Sequence, residues 1–177
     1  NFNPMLKGGS VLAALQRGTG GGLTDFDAFL FIGLQGNDVG DEGYLLGLAD
    51  GDPCQIELRK GVLSLGLPDE APGGASVVLA RSTAAVAVGT WAHLELEMVV
   101  NDNGDVVLNC LRSDLVANAV TAPVFAAIPG IAQFIDDALG VNSGSLPYLN
   151  GRAGFGCTVK DAVRRSFFDH VVVTKQL

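Results

Sequence analysis

The sequence predicts an all-β fold, an antiparallel sandwich carrying two short helices. Three observations point there. Twenty-four glycines in 177 residues suit a chain of many turns and not a helical bundle. The stretch "TWAHLELEMVV" (90–100) sends Leu94, Leu96 and Met98 one way and His93, Glu95 and Glu97 the other, the alternation of a half-buried strand. "NDNGD" (101–105) then supplies a tight turn containing Asn-Gly, and "VVLNCLRSD" returns, so residues 90–114 read as an antiparallel hairpin.

The other elements follow in chain order. Residues 1–9 read as an arm, and "SVLAALQRG" as a short helix with Ser10 as N-cap and Gly18 as stop. Together with the glycine-rich hinge at 20–22, residues 1–25 form an N-terminal arm preceding one sandwich domain at 26–177. "FDAFLFIGLQG" (26–36) is an aromatic and β-branched strand ended by glycine. "GYLLGLAD" (43–50) and "CQIELRKG" (54–61) form a hairpin around "DGDP", which "VLSLGL" (62–67) continues. "PDEAPGGA" (68–75) is a loop, and "SVVLARS" is another strand. In "IAQFIDDAL", Ile131, Phe134, Ile135, Ala138 and Leu139 take the spacing of one helix face between Pro129-Gly130 and Gly140. Strands at 151–157 and 166–174 complete the chain, near the centre of one sheet.

Composition excludes several classes of partner. Net charge is −8, with 11 Lys and Arg against 19 Asp and Glu, so neither nucleic acid nor an anionic membrane surface is an expected ligand. No apolar run approaches the ~20 residues of a membrane span. The three cysteines, Cys54, Cys110 and Cys157, lie far apart and read as small buried side chains. No phosphate-binding glycine motif opens a helix, and no nucleophile elbow is present.

The order GYLLGLAD, IELRKG, TWAHLELEMVVNDNGDVVL, GRAGFG and FFDHVVV resembles the concanavalin A-like superfamily of laminin G-like domains, lectins and glucanases. The likeness covers about residues 26–175 and implies a jelly-roll sandwich. More narrowly, "SVLAALQRG", "FLFIGLQG", "TAPVFAAIPG" and "DDALGVNSGS" resemble virion proteins of tailed bacteriophages. That likeness implies a particle component, a tail or capsid decoration, in place of a free enzyme.

Four groups of residues are candidates for function. Phe2, Met5, Leu6, Val11, Leu12 and Leu15 are apolar residues of the expected arm and need burial, against a neighbouring subunit or the chain's own sandwich. Asp50, Asp52 and Tyr148 sit in loops where a lectin of this type would hold a glycan. Glu95 and Glu97 share a strand face with Cα atoms ~7 Å apart, a spacing that glycoside hydrolysis uses. The resemblance to glucanases stops at "ELEM", because Glu replaces the central Asp of their E-x-D-x-x-E pattern and Val99, Val100 and Asn101 follow. Calcium, which many relatives use, would draw on Asp50, Asp52, Asp102 and Asp105, whose turns are also ordinary Asp and Asn chemistry. Two isolated His and scattered Cys disfavour zinc.

Cys157, Asp169 and His170 are a further question. A strand sends the adjacent Asp169 and His170 to opposite faces, so no catalytic pair is expected there, and Asp169 is expected to accept hydrogen bonds from a neighbouring loop or to pair with Arg164 or Arg165. The expected role is non-enzymatic, without a resident cofactor: a structural or adhesive module of an assembly, a homo-oligomer or one partner among virion proteins. A glycan-binding lectin and a Glu95/Glu97 glycosidase are the alternatives.

Overall fold

In the computed structural model, residues 8–17, 28–37, 40–51, 53–63, 76–87, 89–113, 123–157 and 166–175 are described. They build two antiparallel sheets. The first runs β11 (Ser166–Lys175), β1 (Gly8–Arg17), β6 (Trp91–Val100), β7 (Val106–Ser113) and β8 (Ala126–Ala127), and β9 (Gln133–Asp136) also pairs with β7. The second runs β10 (Arg152–Cys157), β2 (Ala28–Asn37), β3 (Gly40–Gly51), β4 (Cys54–Leu63) and β5 (Val77–Val86). The inward row of each strand meets the other's in one core, with Val11, Leu15, Leu30, Ile32, Leu46, Ile56, Leu94 and Leu96 fully buried.

The hairpin at 90–114 is present, with Leu96 opposite Cys110 and Val100 opposite Val106. Its turn is held by Asn101, whose Oδ1 accepts the backbone N–H groups of Asn103 and Asp105, while Gly104 takes a φ of +86°. The hairpin of 43–50 with 54–61 is likewise present as β3 and β4, and the strands expected at 151–157 and 166–174 are β10 and β11. The loop expected at 68–75 lies outside the described residues.

Neither expected helix exists among the described residues. Residues 8–17 form β1, a strand inside the first sheet, flanked by β11 and β6. Helix propensity separates Leu, Ala and Gln from strand formers by less than about 1 kcal/mol per residue. Hydrogen bonding along both edges and burial of Val11, Ala13 and Leu15 outweigh that difference. The sandwich therefore begins at β1, and Leu12 and Leu15 belong to it: Leu15 lies in the core and Leu12 on the outer row. They are not residues of a free arm. Phe2, Met5 and Leu6 lie outside the described residues.

The second expected helix is replaced by β9 followed by turns. Its apolar spacing does not track burial: Leu139 is exposed and Ile135 half-exposed, while Asp136 is fully buried. Nor do β10 and β11 lie near the centre of one sheet. They are edges of two different sheets among the described residues, joined by a contact of Phe155 with Phe168 at 4.9 Å between ring centroids.

Two of the three glycines of "GRAGFG", Gly154 and Gly156, are seats for rings. Phe29 pairs with Gly156 and Phe31 with Gly154, and a Cβ at either glycine would meet the partner's ring at under 3 Å. Gly47 pairs with Phe29 on its other side, where a Cβ would meet the Ala28 carbonyl and the Cα and Cβ of Phe29. On this outer face Phe29, Leu34, Leu45 and Ala49 form a second buried apolar cluster with Phe31 against it. Among the described residues, no helix is long and apolar enough to cross a membrane.

Candidate functional site

The inward row of β4 runs Cys54, Ile56, Leu58 and then Lys60. Period two thus carries a lysine into the end of the core, where it is only 2% exposed. Its ammonium donates to Asp136 Oδ2 at 2.5 Å, to Ser143 Oγ at 2.7 Å and to the carbonyl of Ser145 at 2.7 Å. All three of its protons are therefore used. Asp136, at the end of β9 and 0% exposed, also accepts the Tyr44 hydroxyl on Oδ2 and the Ser143 hydroxyl on Oδ1, each at 2.5 Å. The Tyr44 hydroxyl in turn accepts the backbone N–H of Tyr148 at 3.1 Å.

Burial first, and then the hydrogen bond to Asp136, push the Tyr44 hydroxyl far above the ordinary phenol range. It therefore stays a donor at every physiological pH. Tyr148 is pushed the same way by burial and by its bond to Glu42. This network fastens the segment 137–150 across the mouth of the sandwich, joining β3 and β4 of one sheet to β9 of the other.

Of the loop residues expected to hold a glycan, Tyr148 is committed inward. Its hydroxyl donates to Glu42 Oε2 at 3.0 Å, its ring meets Tyr44 edge-on at 5.4 Å, and the Lys60 ammonium lies 5.3 Å from its centroid. Asp50 lies in β3 with its side chain outside the described residues, as is Asp52. Asp105 spends its carboxylate on Asn101 Nδ2 and the Ala138 N–H. Among the described residues, no three His, Cys, Asp or Glu side chains cluster with the spacing of a metal site.

Glu95 and Glu97 do share the outer face of β6, both half-buried, but they face different neighbours. Glu95 stands between Leu12 and Leu111, and Glu97 between Ser10 and Asn109, whose amide donates to Glu97 at 3.2 Å. A depression of about 270 Å³ is lined by Glu97 with Gly9, Ser10, Met98, Val99, Thr174 and Lys175. Glu95 does not reach it, so the two acids do not face one another across a cleft.

Asp169 and His170 correct the expectation of opposite faces. A β-bulge in β11 places His170 at φ +51°. That left-handed turn swings the ring back to Asp169, with Nδ1 3.2 Å from Oδ2, both side chains largely exposed. Cys157 lies on β10, which belongs to the other sheet and pairs there with β2, and its side chain is outside the described residues. The expected partners of Asp169, Arg164 and Arg165, lie outside the described residues. Cys54 and Cys110 are buried, the Cys54 thiol donates to the Val86 carbonyl at 3.2 Å, and burial alone pushes the Cys110 thiol up to about 12, which leaves it protonated and unreactive.

By the alternation of β6, His93 lies on the face of Glu95 and Glu97, opposite the core. It is 3% exposed, covered by Phe125 at 4.9 Å and flanked by His170 at 6.4 Å, and neither ring nitrogen has a hydrogen-bond partner. Burial, with His170 adding and Asp169 opposing, lowers its pKa below the ordinary 6.5. The folded protein therefore holds His93 neutral at pH values where the unfolded chain has already taken up the proton. Stability contributed by neutral His93 is complete above about 6.5 and falls as the pH drops below it. We expect the urea midpoint to fall between pH 7.5 and pH 5 by more in the native sequence than in His93→Leu, which removes that proton-binding difference.

Comparison with family models, with curated proteins and with solved structures returned no match.

Proposed function

We propose that the protein is a non-enzymatic structural module, a rigid sandwich that works by associating with other protein subunits and first with copies of itself. The observation that carries the reading is the side where the two edge strands adjoin. There Val171, Val172 and Val173 are 37%, 48% and 47% exposed, and Phe155, which meets Phe168 of the same strand, is 45% exposed. Three consecutive exposed valines on a strand that is an edge among the described residues offer apolar surface together with a backbone edge that no described strand pairs, which a second chain can take up by adding a strand. The bulge at His170 confines that invitation to the stretch from Val171 onward.

The fully satisfied Lys60–Asp136 network supports the same reading, since its polar groups are spent on one another and present no open donor to a substrate. Within this proposal the sandwich is a jelly roll of the concanavalin A-like type and the assembly is a phage particle. Both rest on the sequence resemblances described above.

Deleting residues 1–17 would remove β1 from inside a sheet, so the test is made on β11. Light scattering of the native protein is expected to give a mass above that of one chain, and Val172→Lys, on the outer row, is expected to reduce it to one chain. A monomer at every concentration in both proteins would overturn self-association.

A further inference from the structure

The geometry points to a covalent modification inside the core: an amide bond between the side chains of Lys60 and Asp136. The amine and the carboxyl group are 2.5 Å apart, N to O, and both are shut away from water. Both are held by strands of opposite sheets, so the reacting groups need no search to meet. Such fixed juxtaposition replaces a bimolecular encounter with an effectively unimolecular one.

The surroundings match what acylation of an amine requires. Each oxygen of Asp136 receives a hydroxyl proton, Oδ1 from Ser143 and Oδ2 from Tyr44, which polarises the carboxyl group toward attack at Cγ. The Lys60 ammonium donates directly to Oδ2, so the first proton passes along that bond from nitrogen to the oxygen that departs, while Ser143 Oγ accepts another of its hydrogens and holds the nitrogen in place. Once the amine is neutral, its lone pair forms the Nζ–Cγ bond. Negative charge then gathers on Oδ1, where the Ser143 hydroxyl meets it, in the manner of an oxyanion donor.

The Cγ–Oδ2 bond breaks with the Tyr44 hydroxyl donating to the departing oxygen. Of the three ammonium protons, one remains on the amide nitrogen and two leave with Oδ2 as water. Nothing is oxidised or reduced, and no co-reactant enters. The product replaces a desolvated ion pair, a costly arrangement in an apolar core, with a neutral group that can keep the Ser143 hydrogen bond.

The bond would tie β4 of one sheet to β9 of the other and close the mouth of the sandwich permanently. Its role is distinct from the edge association proposed above and does not depend on it.

The test is the mass of the intact, fully denatured native protein, followed by peptide mapping. The expected mass is one water molecule below that of the sequence. Trypsin is expected to skip Lys60, whose amine is acylated, and to release a branched peptide whose fragments place the bond between Lys60 and Asp136. A mass equal to that of the sequence overturns the inference. So does a missing water that fragmentation places elsewhere, or one that persists in Lys60→Ala. Because the mapping is done on the native protein, the result does not depend on a variant that folds.

Discussion

Replacing Asp136 with alanine is expected to lower the stability of the fold by about 3–5 kcal/mol, because it strands the buried Lys60 charge without its partner. The loss has three sources in the structure. Lys60 keeps only the Ser143 hydroxyl and the Ser145 carbonyl, Tyr44 loses the acceptor of its hydroxyl, and Ser143 loses the acceptor of its own. None of these groups can turn to water from inside the core. Removing both charges is gentler: Lys60→Met/Asp136→Ala is expected to be more stable than Asp136→Ala alone, since an apolar pair leaves no charge behind. Urea unfolding of the two variants measures the difference. Equal midpoints would mean that Lys60 finds solvent in the single variant and that the network does not seal the mouth of the sandwich.

Phe29→Ala is expected to cost a similar amount, about 3–5 kcal/mol, the range for deleting a buried aromatic ring. The ring does not lie between the sheets. It lies on the outer face of the second sheet, pressed over Gly156 in a cluster with Leu34 and Leu45. A cost near zero would show that this outer cluster contributes nothing to folding. Gly156→Ala reads the same contact from the other side, because the atoms nearest its new Cβ are all carbons of the Phe29 ring. In the native background it is expected to cost about 1–3 kcal/mol by overpacking. In the Phe29→Ala background much of that cost should vanish, and a double-mutant cycle isolates the coupling.

What could be read from the sequence, and what could not, divides along physical lines. The hairpin at 90–114 was legible because alternation, an Asn-Gly turn and a returning strand agree locally, and local agreement is what propensity reports. β1 was not, since "VLAALQ" satisfies a helix by residue type and a strand by its inward row of Val11, Ala13 and Leu15. Only its partners β11 and β6, distant in sequence, decide between them. Residues 131–139 misled in the same way: a helical spacing of apolar residues was present, yet the residue that the core takes is the carboxylate of Asp136.

The sequence carried one unused signal for the buried network. The inward alternation Cys54, Ile56, Leu58 runs on to Lys60 without interruption, and a lysine in an inward position needs a buried partner. The identity of that partner lies 76 positions away in Asp136, beyond the reach of any local pattern. His93 was likewise assigned to the right face of β6, but the Phe125 that covers it follows from tertiary packing alone.

The position of β1 has a consequence for how the chain reaches this structure. β1 pairs on one side with β6 and on the other with β11, the first and last described strands lying side by side. During synthesis β1 leaves the ribosome before both of its partners, and its edge toward β11 is closed only after residue 175 has emerged. Pairings this distant in sequence carry a large loop-closure cost before any contact repays it, and folds dominated by them reach the native state in about milliseconds to seconds. The waiting chain meanwhile offers an apolar strand to its neighbours.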